Sequence, residues 1–200
     1  MTPNYWGQAI EDLAKKDQIM NKIISRSKGF ILRSNEDAFT TLVRSIVGQQ
    51  ISVKVAENIW NKLIIRVPKM MPENISNLEN SILRNCGLSQ RKIEYLQDLS
   101  SYFMSNNFNE AVWSKMSDED IILELTQVKG VGRWTAEMFL IFYMLRPDIL
   151  PVNDFGFKRA LSMHYNDNKL INRDDIYKIS DKWRPWRSVA TWYLWQSLNS

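Results

Sequence analysis

One carboxylate in this chain stands where it could act on a reacting molecule. Asp154 follows the segment Leu150-Pro151-Val152-Asn153 and precedes a stretch with helical periodicity, Phe155 to Leu161. At the N-terminus of such a helix, the positive end of the helix dipole favours the ionised form of an aspartate. Taken alone, however, this pattern favours a plain helix cap.

A second group of residues is suited to hold an anion. The run Leu125-Thr126-Gln127-Val128-Lys129-Gly130-Val131-Gly132-Arg133-Trp134-Thr135-Ala136 predicts a helix end, a turn with two glycines and a second helix that extends to about Arg146. Glycines at alternate positions permit positive φ and a close approach of the backbone to another molecule. The amides that open the second helix favour phosphate, and Lys129 and Arg133 flank them. An ordinary hairpin, in which the glycines only make a tight turn, explains the same run.

Composition excludes several other kinds of chemistry. Cys86 and His164 are the only residues of their types, so an intramolecular disulfide, an all-cysteine iron–sulfur cluster and a multi-histidine metal site are excluded. We therefore expect no metal site. The net charge of +4 suits a nucleic-acid partner but is a weak signal. The start lacks the features of a signal peptide and the longest apolar run, Met138 to Leu145, is too short for a bilayer, so we expect a soluble intracellular protein without membrane contact.

The elements that must position these residues are predicted to be helices. Apolar residues at helical spacing predict one helix that begins near Trp6, a second over 39–46 and a third over 52–65. Ser34 and Asn35 are the N-cap candidates of the second helix. Further helices are predicted over 78–85, 89–105 and 118–125, with Gly87 as a stop and Ser117 opening a capping box. Pro68 and Pro72 bracket a loop. No segment alternates strictly enough to predict a strand, so the predicted fold is all-α.

Four stretches, taken together, resemble one family. The hairpin run is similar to that of the helix-hairpin-helix DNA glycosylases. Three further stretches resemble their alkylpurine branch, the 3-methyladenine DNA glycosylase II family. They are Phe39 to Ser52, which contains Ile-Val-Gly-Gln-Gln-Ile-Ser, and the runs Leu150-Pro151-Val152-Asn153-Asp154 and Trp183-Arg184-Pro185-Trp186-Arg187-Ser188. In order and spacing the resemblance covers about 39–198. It implies one two-lobed helical unit over 1–200, with the active site in the cleft between the lobes and a DNA-binding helix-hairpin-helix motif over 118–146.

The resemblance implies that Asp154 is catalytic, and the chemistry explains why one carboxylate suffices. A purine alkylated at N3 or N7 is cationic and leaves as a neutral base, so no acid is needed to protonate it. An ionised Asp154 then stabilises the oxocarbenium-like sugar and orients the attacking water. The implied activity is hydrolysis of the N-glycosidic bond after base flipping, which leaves an abasic site.

Base and DNA contacts are also implied by the resemblance. The matching base-pocket positions are Trp134 and Trp195, and Met138 stands where some relatives carry an aromatic residue. Indole faces attract a cationic base. The expected contacts to the DNA backbone are Lys129, Gly130, Gly132 and Arg133. Gln50 or Ile51 is expected to be the wedge that fills the gap left by the flipped base. The implied partner is double-stranded DNA with alkylated bases, bound by a monomer without a cofactor, although hairpin carbonyls could hold a monovalent cation when DNA is bound.

Two other functions remain open at this stage. A bifunctional glycosylase and lyase needs a nucleophilic lysine where this chain has Trp134. A non-catalytic helix-hairpin-helix DNA-binding module accounts for the hairpin and the basic charge. It leaves Asp154 and the run from Trp183 to Ser188 unexplained.

Overall fold

The computed structural model describes residues 2–27, 29, 31–34, 37–105 and 110–198, and every regular element within these ranges is a helix. The chain divides into two compact units. The terminal unit consists of Met1–Asn35 and Leu140–Ser200, and the inserted unit is Glu36–Phe139. None of the helices in these ranges combines the length and apolar character that a membrane crossing requires.

The terminal unit is built from helices at both ends of the chain. These helices are α1 (Trp6–Lys16), α2 (Gln18–Arg26), α11 (Phe155–Tyr165), α12 (Arg173–Asp181) and α13 (Arg187–Gln196). The helix α1 buries Trp6, Ala9 and Leu13, which share one face at helical spacing. Both α1 and α2 pack against α13, which also packs against α11. The core of this unit therefore forms only when the two chain ends meet.

A buried aspartate ties these helices together. Asp17 is the N-cap of α2, and its Oδ1 accepts the backbone N–H groups of the first turn at 2.9 and 3.2 Å. Its Oδ2 accepts hydrogen bonds from Tyr165 Oη and Trp183 Nε1, both at 2.8 Å, and lies 3.0 Å from Lys182 Nζ. Burial alone raises the pKa of Asp17, but the hydrogen bonds from Trp183, Tyr165 and Lys182 outweigh burial and lower that pKa below its ordinary value.

The inserted unit contains the middle helices of the chain. These helices are α3 (Ala38–Gly48), α4 (Val53–Arg66), α5 (Pro72–Ser76), α6 (Asn80–Asn85), α7 (Gln90–Ser105), α8 (Glu110–Trp113) and α9 (Asp118–Leu125). The helix α10 (Arg133–Phe142) begins in the inserted unit and ends in the terminal unit. Because α3 packs against both α4 and α7, it is buried around most of its circumference. The helix α7 also packs against α5 and α6.

Most of the predicted helices are confirmed, and two local predictions are wrong. The helix α9 and its Ser117 cap lie where they were predicted, and Gly87 ends a helix with a φ of +102°. The N-cap of α3 is Asp37 rather than Ser34, because the Asp37 side chain accepts the Thr40 N–H, and Asn35 lies outside the described residues. The loop that Pro68 and Pro72 bracket is confirmed, and α5, a helix that was not predicted, begins at Pro72 because proline is well suited to the first helical position. The helix α10 ends at Phe142 rather than near Arg146.

Candidate active site

Asp154 is the N-cap of α11, as the sequence predicted. It ends a turn closed by its own N–H, which donates to Pro151 O at 2.9 Å. Its Oδ1 accepts the Phe157 N–H at 2.6 Å and the Trp195 Nε1–H at 2.8 Å. The side chain is half-buried. One carboxylate oxygen is thus held by two neutral N–H donors, which fixes the direction of the whole group.

Trp195 approaches the carboxylate edge-on, and two neighbours make this position possible. Its ring is stacked on Phe142 with centroids 5.8 Å apart and an interplanar angle of 14°. A Cβ on Gly156 would lie 3.2 Å from Trp195 Cδ1 and 3.3 Å from Asp154 Oδ1, which is tighter than most real contacts. The missing side chain at position 156 therefore leaves room for the indole. Sequence reasoning placed Trp195 in a base pocket and missed its bond to Asp154.

The segment before Asp154 is fastened to the start of α13. Asp148 accepts hydrogen bonds from Arg187 Nε at 2.7 Å and Nη2 at 2.9 Å, and from Arg184 Nη1 at 2.8 Å. Ser188 Oγ accepts the Ile149 N–H at 2.9 Å. Because two arginines already bind Asp148, it is not a second candidate for the catalytic carboxylate. The Trp-Arg-Pro-Trp-Arg-Ser run therefore has a structural role, which is to position the loop that leads to Asp154.

The hairpin lies in the inserted unit, and its two glycines differ. Gly130 has a φ of +86°, and a Cβ built on it would overlap the ring of Tyr95. Gly132 has no positive φ, and a Cβ there meets nothing within 4 Å. Of these two glycines, only Gly130 uses the positive φ that glycine permits. Lys129 is exposed, and its backbone N–H donates to Asp98 Oδ2 at 2.7 Å.

Arg133 already has partners inside the protein. Its Nη1 and Nη2 bind both carboxylate oxygens of Glu119, the first at 3.0 Å, and its Nε donates to Glu137 Oε1 at 3.1 Å. Glu119 first, and then Glu137, raise the pKa of Arg133. The exposed Lys129 Nζ lies 3.5 Å from Glu94. Phosphate contacts of Arg133 and Lys129 stay predictions, and a phosphate must compete with these carboxylates.

The residues predicted to line the base pocket lie in different units. Trp134 and Met138 are on the part of α10 that belongs to the inserted unit, whereas Trp195 belongs to the terminal unit. Trp134 exposes 36% of its surface, and Met138 exposes 5%. A pocket shared by the three side chains stays a prediction.

The predicted wedge residues occupy a turn between α3 and α4. Gln50 is exposed and has a φ of +58°, and Ile51 is half-buried rather than part of the core. The preceding residue, Gln49, donates from Nε2 to Gly130 O at 2.9 Å and to Thr135 Oγ1 at 3.1 Å. Gln49 therefore faces the hairpin, and Gln50 is the glutamine that faces outward. Their role in DNA stays a prediction.

Comparison with known proteins identifies the family. The model of the HhH-GPD superfamily base excision DNA repair proteins matches residues 43–185. The chain belongs to this superfamily. It is 32% identical over 166 residues to DNA-3-methyladenine glycosylase 1 of Schizosaccharomyces pombe, an alignment that covers 81% of this chain and 73% of the relative. A DNA-3-methyladenine glycosylase of Bacillus subtilis is 26% identical, with coverage of 99% and 67%.

Solved structures agree with the sequence comparison. A 3-methyladenine DNA glycosylase of Schizosaccharomyces pombe, in complex with abasic DNA, superposes with a TM-score of 0.86 at 29% identity and covers 96% of this chain and 97% of that chain. A DNA-3-methyladenine glycosidase of Bacillus halodurans has a TM-score of 0.81 at 29% identity, with coverage of 96% and 89%. The predicted all-α glycosylase fold and the predicted alkylpurine branch are confirmed.

Proposed function

We propose that this protein is a monofunctional DNA glycosylase that hydrolyses the N-glycosidic bond of alkylated purines in duplex DNA. The observation that carries the proposal is the Asp154 carboxylate, held by the Phe157 N–H and the Trp195 indole at the start of α11. It stands in a chain of the base excision repair superfamily whose relatives are named 3-methyladenine glycosylases.

The reaction needs negative charge beside the sugar and little else from the protein. A purine alkylated at N3 or N7 carries a positive charge and departs as a neutral base, so the leaving group needs no proton. Positive charge then builds up on the sugar, where a carboxylate with a fixed direction stabilises it without reorganising. Asp154 also orients the water that completes the hydrolysis. The two N–H donors hold the group in place throughout.

The residue at position 134 separates this activity from a lyase activity. A lyase forms a Schiff base between a lysine and the sugar, and position 134 carries tryptophan. The product is therefore an intact abasic site. Borohydride treatment during turnover tests this point, since it traps a Schiff base as a covalent protein–DNA adduct. An adduct at a yield comparable to turnover would establish the bifunctional alternative.

Base selection in this proposal depends on charge and π-area. The indoles of Trp134 and Trp195 attract a cationic base by about 0.5–2 kcal/mol. Met138, an adaptable side chain, tolerates several shapes. We therefore expect a broad range of cationic alkylpurines to be excised and neutral purines to be poor substrates.

The hairpin supplies contacts to the DNA backbone in this proposal. The glycines and Lys129 approach a phosphate, and a monovalent cation held by hairpin carbonyls is part of the same prediction. Gly132→Ala is the clean probe because a Cβ fits there in the absence of DNA. It should weaken binding to damaged and undamaged duplexes alike, because phosphate contacts carry no sequence information. Gly130→Ala should instead lower the melting temperature, since it strains φ and overlaps Tyr95.

Release of free 7-methylguanine from methylated duplex DNA tests the proposed function most directly. The wild-type protein should release the base and leave an unbroken strand until the abasic sites are cleaved chemically. The protein with Asp154→Asn should bind the same duplex and release no base above background. Binding without release by the wild-type protein would favour a non-catalytic DNA-binding module. Sedimentation of the protein with and without duplex tests whether it acts as a monomer.

A further inference from the structure

The turn between α3 and α4 is fastened to the hairpin by one side chain. Gln49 Nε2 donates one proton to Gly130 O, in the hairpin turn, and the other to Thr135 Oγ1, in the first turn of α10. Thr135 is buried, with 2% of its surface exposed. Both bonds come from the same nitrogen, so the amide bridges the hairpin turn and the helix that follows it. These residues all lie within the inserted unit.

Glutamine meets the two requirements of this position, which are sufficient length and an uncharged nitrogen with two N–H donors. Asparagine is shorter by one methylene and cannot span the same distance. Glutamate has the right length but offers carboxylate oxygens, which would face the Gly130 carbonyl as acceptor against acceptor. Leucine keeps much of the volume and loses both hydrogen bonds. These differences allow the donor function of Gln49 to be separated from its packing.

A second anchor holds the other side of the turn. Lys92 on α7 donates from Nζ to Val47 O at 2.7 Å, at the C-terminal end of α3 where carbonyls lack helical partners. Lys92 is half-buried, and burial lowers its pKa. Lys92 thus holds the end of α3, and Gln49 separately holds the turn to the hairpin. The exposed Gln50 is the next residue after Gln49. Its φ of +58° is uncommon for a residue other than glycine and persists only where neighbouring contacts determine it.

We propose that Gln49 is a positioning residue that couples the wedge turn to the hairpin, so that phosphate binding by the hairpin and insertion of Gln50 into the base stack occur in a fixed register. This inference rests on the proposed function. The hairpin binds the backbone of any duplex, and Gln49 transmits that position to Gln50. Without the bridge, the hairpin still binds phosphate while Gln50 enters the stack less often.

Gln49→Leu, with Gln97→Leu as the matched control, separates coupling from folding. Gln97 donates to Asn80 Oδ1 at 2.8 Å on the surface of the inserted unit and is remote in sequence from both the turn and the hairpin. Gln49→Leu should lower excision of 7-methylguanine from duplex DNA roughly tenfold, while excision from single strands and affinity for undamaged duplex stay within about twofold. Gln97→Leu should leave all three quantities at wild-type values.

A double-mutant cycle tests the proposed route through Gln50. If Gln49 acts by placing Gln50, Gln50→Ala should add little to the loss caused by Gln49→Leu, and the coupling between the two substitutions should approach the effect of either one. Losses that multiply independently would show that Gln49 does not act through Gln50. Equal losses on duplex and single strands, with a lower melting temperature, would reduce Gln49 to a structural residue and overturn the inference.

Fluorescence of 2-aminopurine gives a measurement that does not depend on catalysis. The probe, placed opposite an uncleavable abasic-site analogue, brightens when the wedge disturbs its stacking. Gln49→Leu should reduce this signal at saturating protein, and an unchanged signal would overturn the inference. If the wild-type protein released no alkylated base yet showed a Gln49-dependent signal, the proposed function would fail and the coupling would stand.

Discussion

Two aspartates of the terminal unit, Asp17 and Asp154, are built on the same local plan and differ in what surrounds them. Each is the N-cap of a helix, and each accepts a tryptophan Nε1–H at 2.8 Å, from Trp183 and Trp195 respectively. Asp17 is 3% exposed, and its second oxygen is held by Tyr165 and Lys182. Asp154 is half-buried, and the next residue, Phe155, is 79% exposed.

This difference in burial and partners separates a structural role for Asp17 from the catalytic role proposed for Asp154. At Asp17, the negative charge is matched by Lys182 and sealed under protein, so it stabilises the fold and is inaccessible to a substrate. At Asp154, the two donors named above are uncharged, and the residue is half-buried. A capped, tryptophan-bound aspartate is therefore not a functional signature by itself, and its accessibility decides which role it can take.

The largest expected effect comes from Asp154→Asn. The amide oxygen of asparagine can still accept the Phe157 N–H and the Trp195 indole, so the fold should be kept, but the negative charge beside the sugar is lost. Electrostatic groups of this kind are worth about 10²–10³-fold in rate, and we expect a loss of at least that size. Single-turnover kinetics on a methylated duplex, with binding measured in parallel, check the prediction. Activity within a few-fold of wild type would assign catalysis to another residue.

Asp17→Asn should give the opposite result, with a large loss of stability and little loss of activity per folded molecule. The new amide places an N–H₂ donor among the donors of Trp183 and Lys182, and we expect the free energy of unfolding to fall by about 2–3 kcal/mol. Thermal and urea melts measure this loss. Asp12→Asn is the control, because Asp12 also accepts a tryptophan N–H, from Trp186 at 2.9 Å, but is less buried. Its loss of stability should be clearly smaller.

We also expect Asp17→Asn to change how the stability of the protein depends on acidic pH. The pKa of Asp17 is lowered in the folded protein. The contribution of this carboxylate to the free energy of unfolding is therefore fully present above the pKa of the unfolded chain, about 4, and is lost as the pH falls through the pKa of the folded protein. Wild-type stability should therefore fall on acidification in this range, and Asp17→Asn should flatten the fall. Identical pH profiles would contradict the role assigned to this carboxylate.

Replacing Trp195 and Trp183 by phenylalanine, one at a time, tests the same comparison and is expected to give effects of intermediate size. Phenylalanine keeps a ring and removes the N–H, and hydrogen bonds to charged groups contribute about 1.5–3 kcal/mol. Trp195→Phe should lower the excision rate roughly tenfold or more with little change in melting temperature. Trp183→Phe should lower the melting temperature and leave the rate per folded molecule unchanged. A lower melting temperature with an unchanged rate for Trp195→Phe, or a lower rate with an unchanged melting temperature for Trp183→Phe, would contradict the distinction between the two sites.

The smallest expected effect is that of Gly156→Ala. The new methyl group would crowd Trp195 and Asp154 Oδ1 at 3.2–3.4 Å, so the indole must shift by a few tenths of an ångström. We expect excision to slow by roughly two- to fivefold, which corresponds to less than about 1 kcal/mol. Stability should not fall, because alanine favours the helix over glycine. Gly7→Ala, in α1 with open space around its Cβ, should gain stability without changing the rate.

Local features were predictable from the sequence because local chemistry determines them. The Ser117 cap and the bounds of α9 follow from a serine before three acidic residues. The end of α10 did not follow, because nothing near Phe142 stops a helix. Its end is accompanied by a Leu145 φ of +53° and by an Arg146 N–H that donates to Leu140 O at 2.9 Å.

The site was predicted by motif, whereas its geometry was not. Asp154 could be placed because an aspartate before a helical run marks a cap. The Trp195 bond to Asp154 joins residues 41 positions apart, and the Trp183 bond to Asp17 spans 166. Long-range bonds such as these depend on how the helices pack, and no spacing in the sequence indicates them. Eight tryptophans gave no means of telling which indole meets which carboxylate.

The construction of the terminal unit from both chain ends has a consequence for synthesis on the ribosome. The inserted unit is one contiguous segment, whereas α1 and α2 pack against α13, which is synthesised much later. At about 5–20 residues per second, the 166 positions between Asp17 and Trp183 take roughly 10–30 s to translate. During that interval the nascent chain lacks Trp195, so premature release would yield fragments in which the Asp154 site is incomplete.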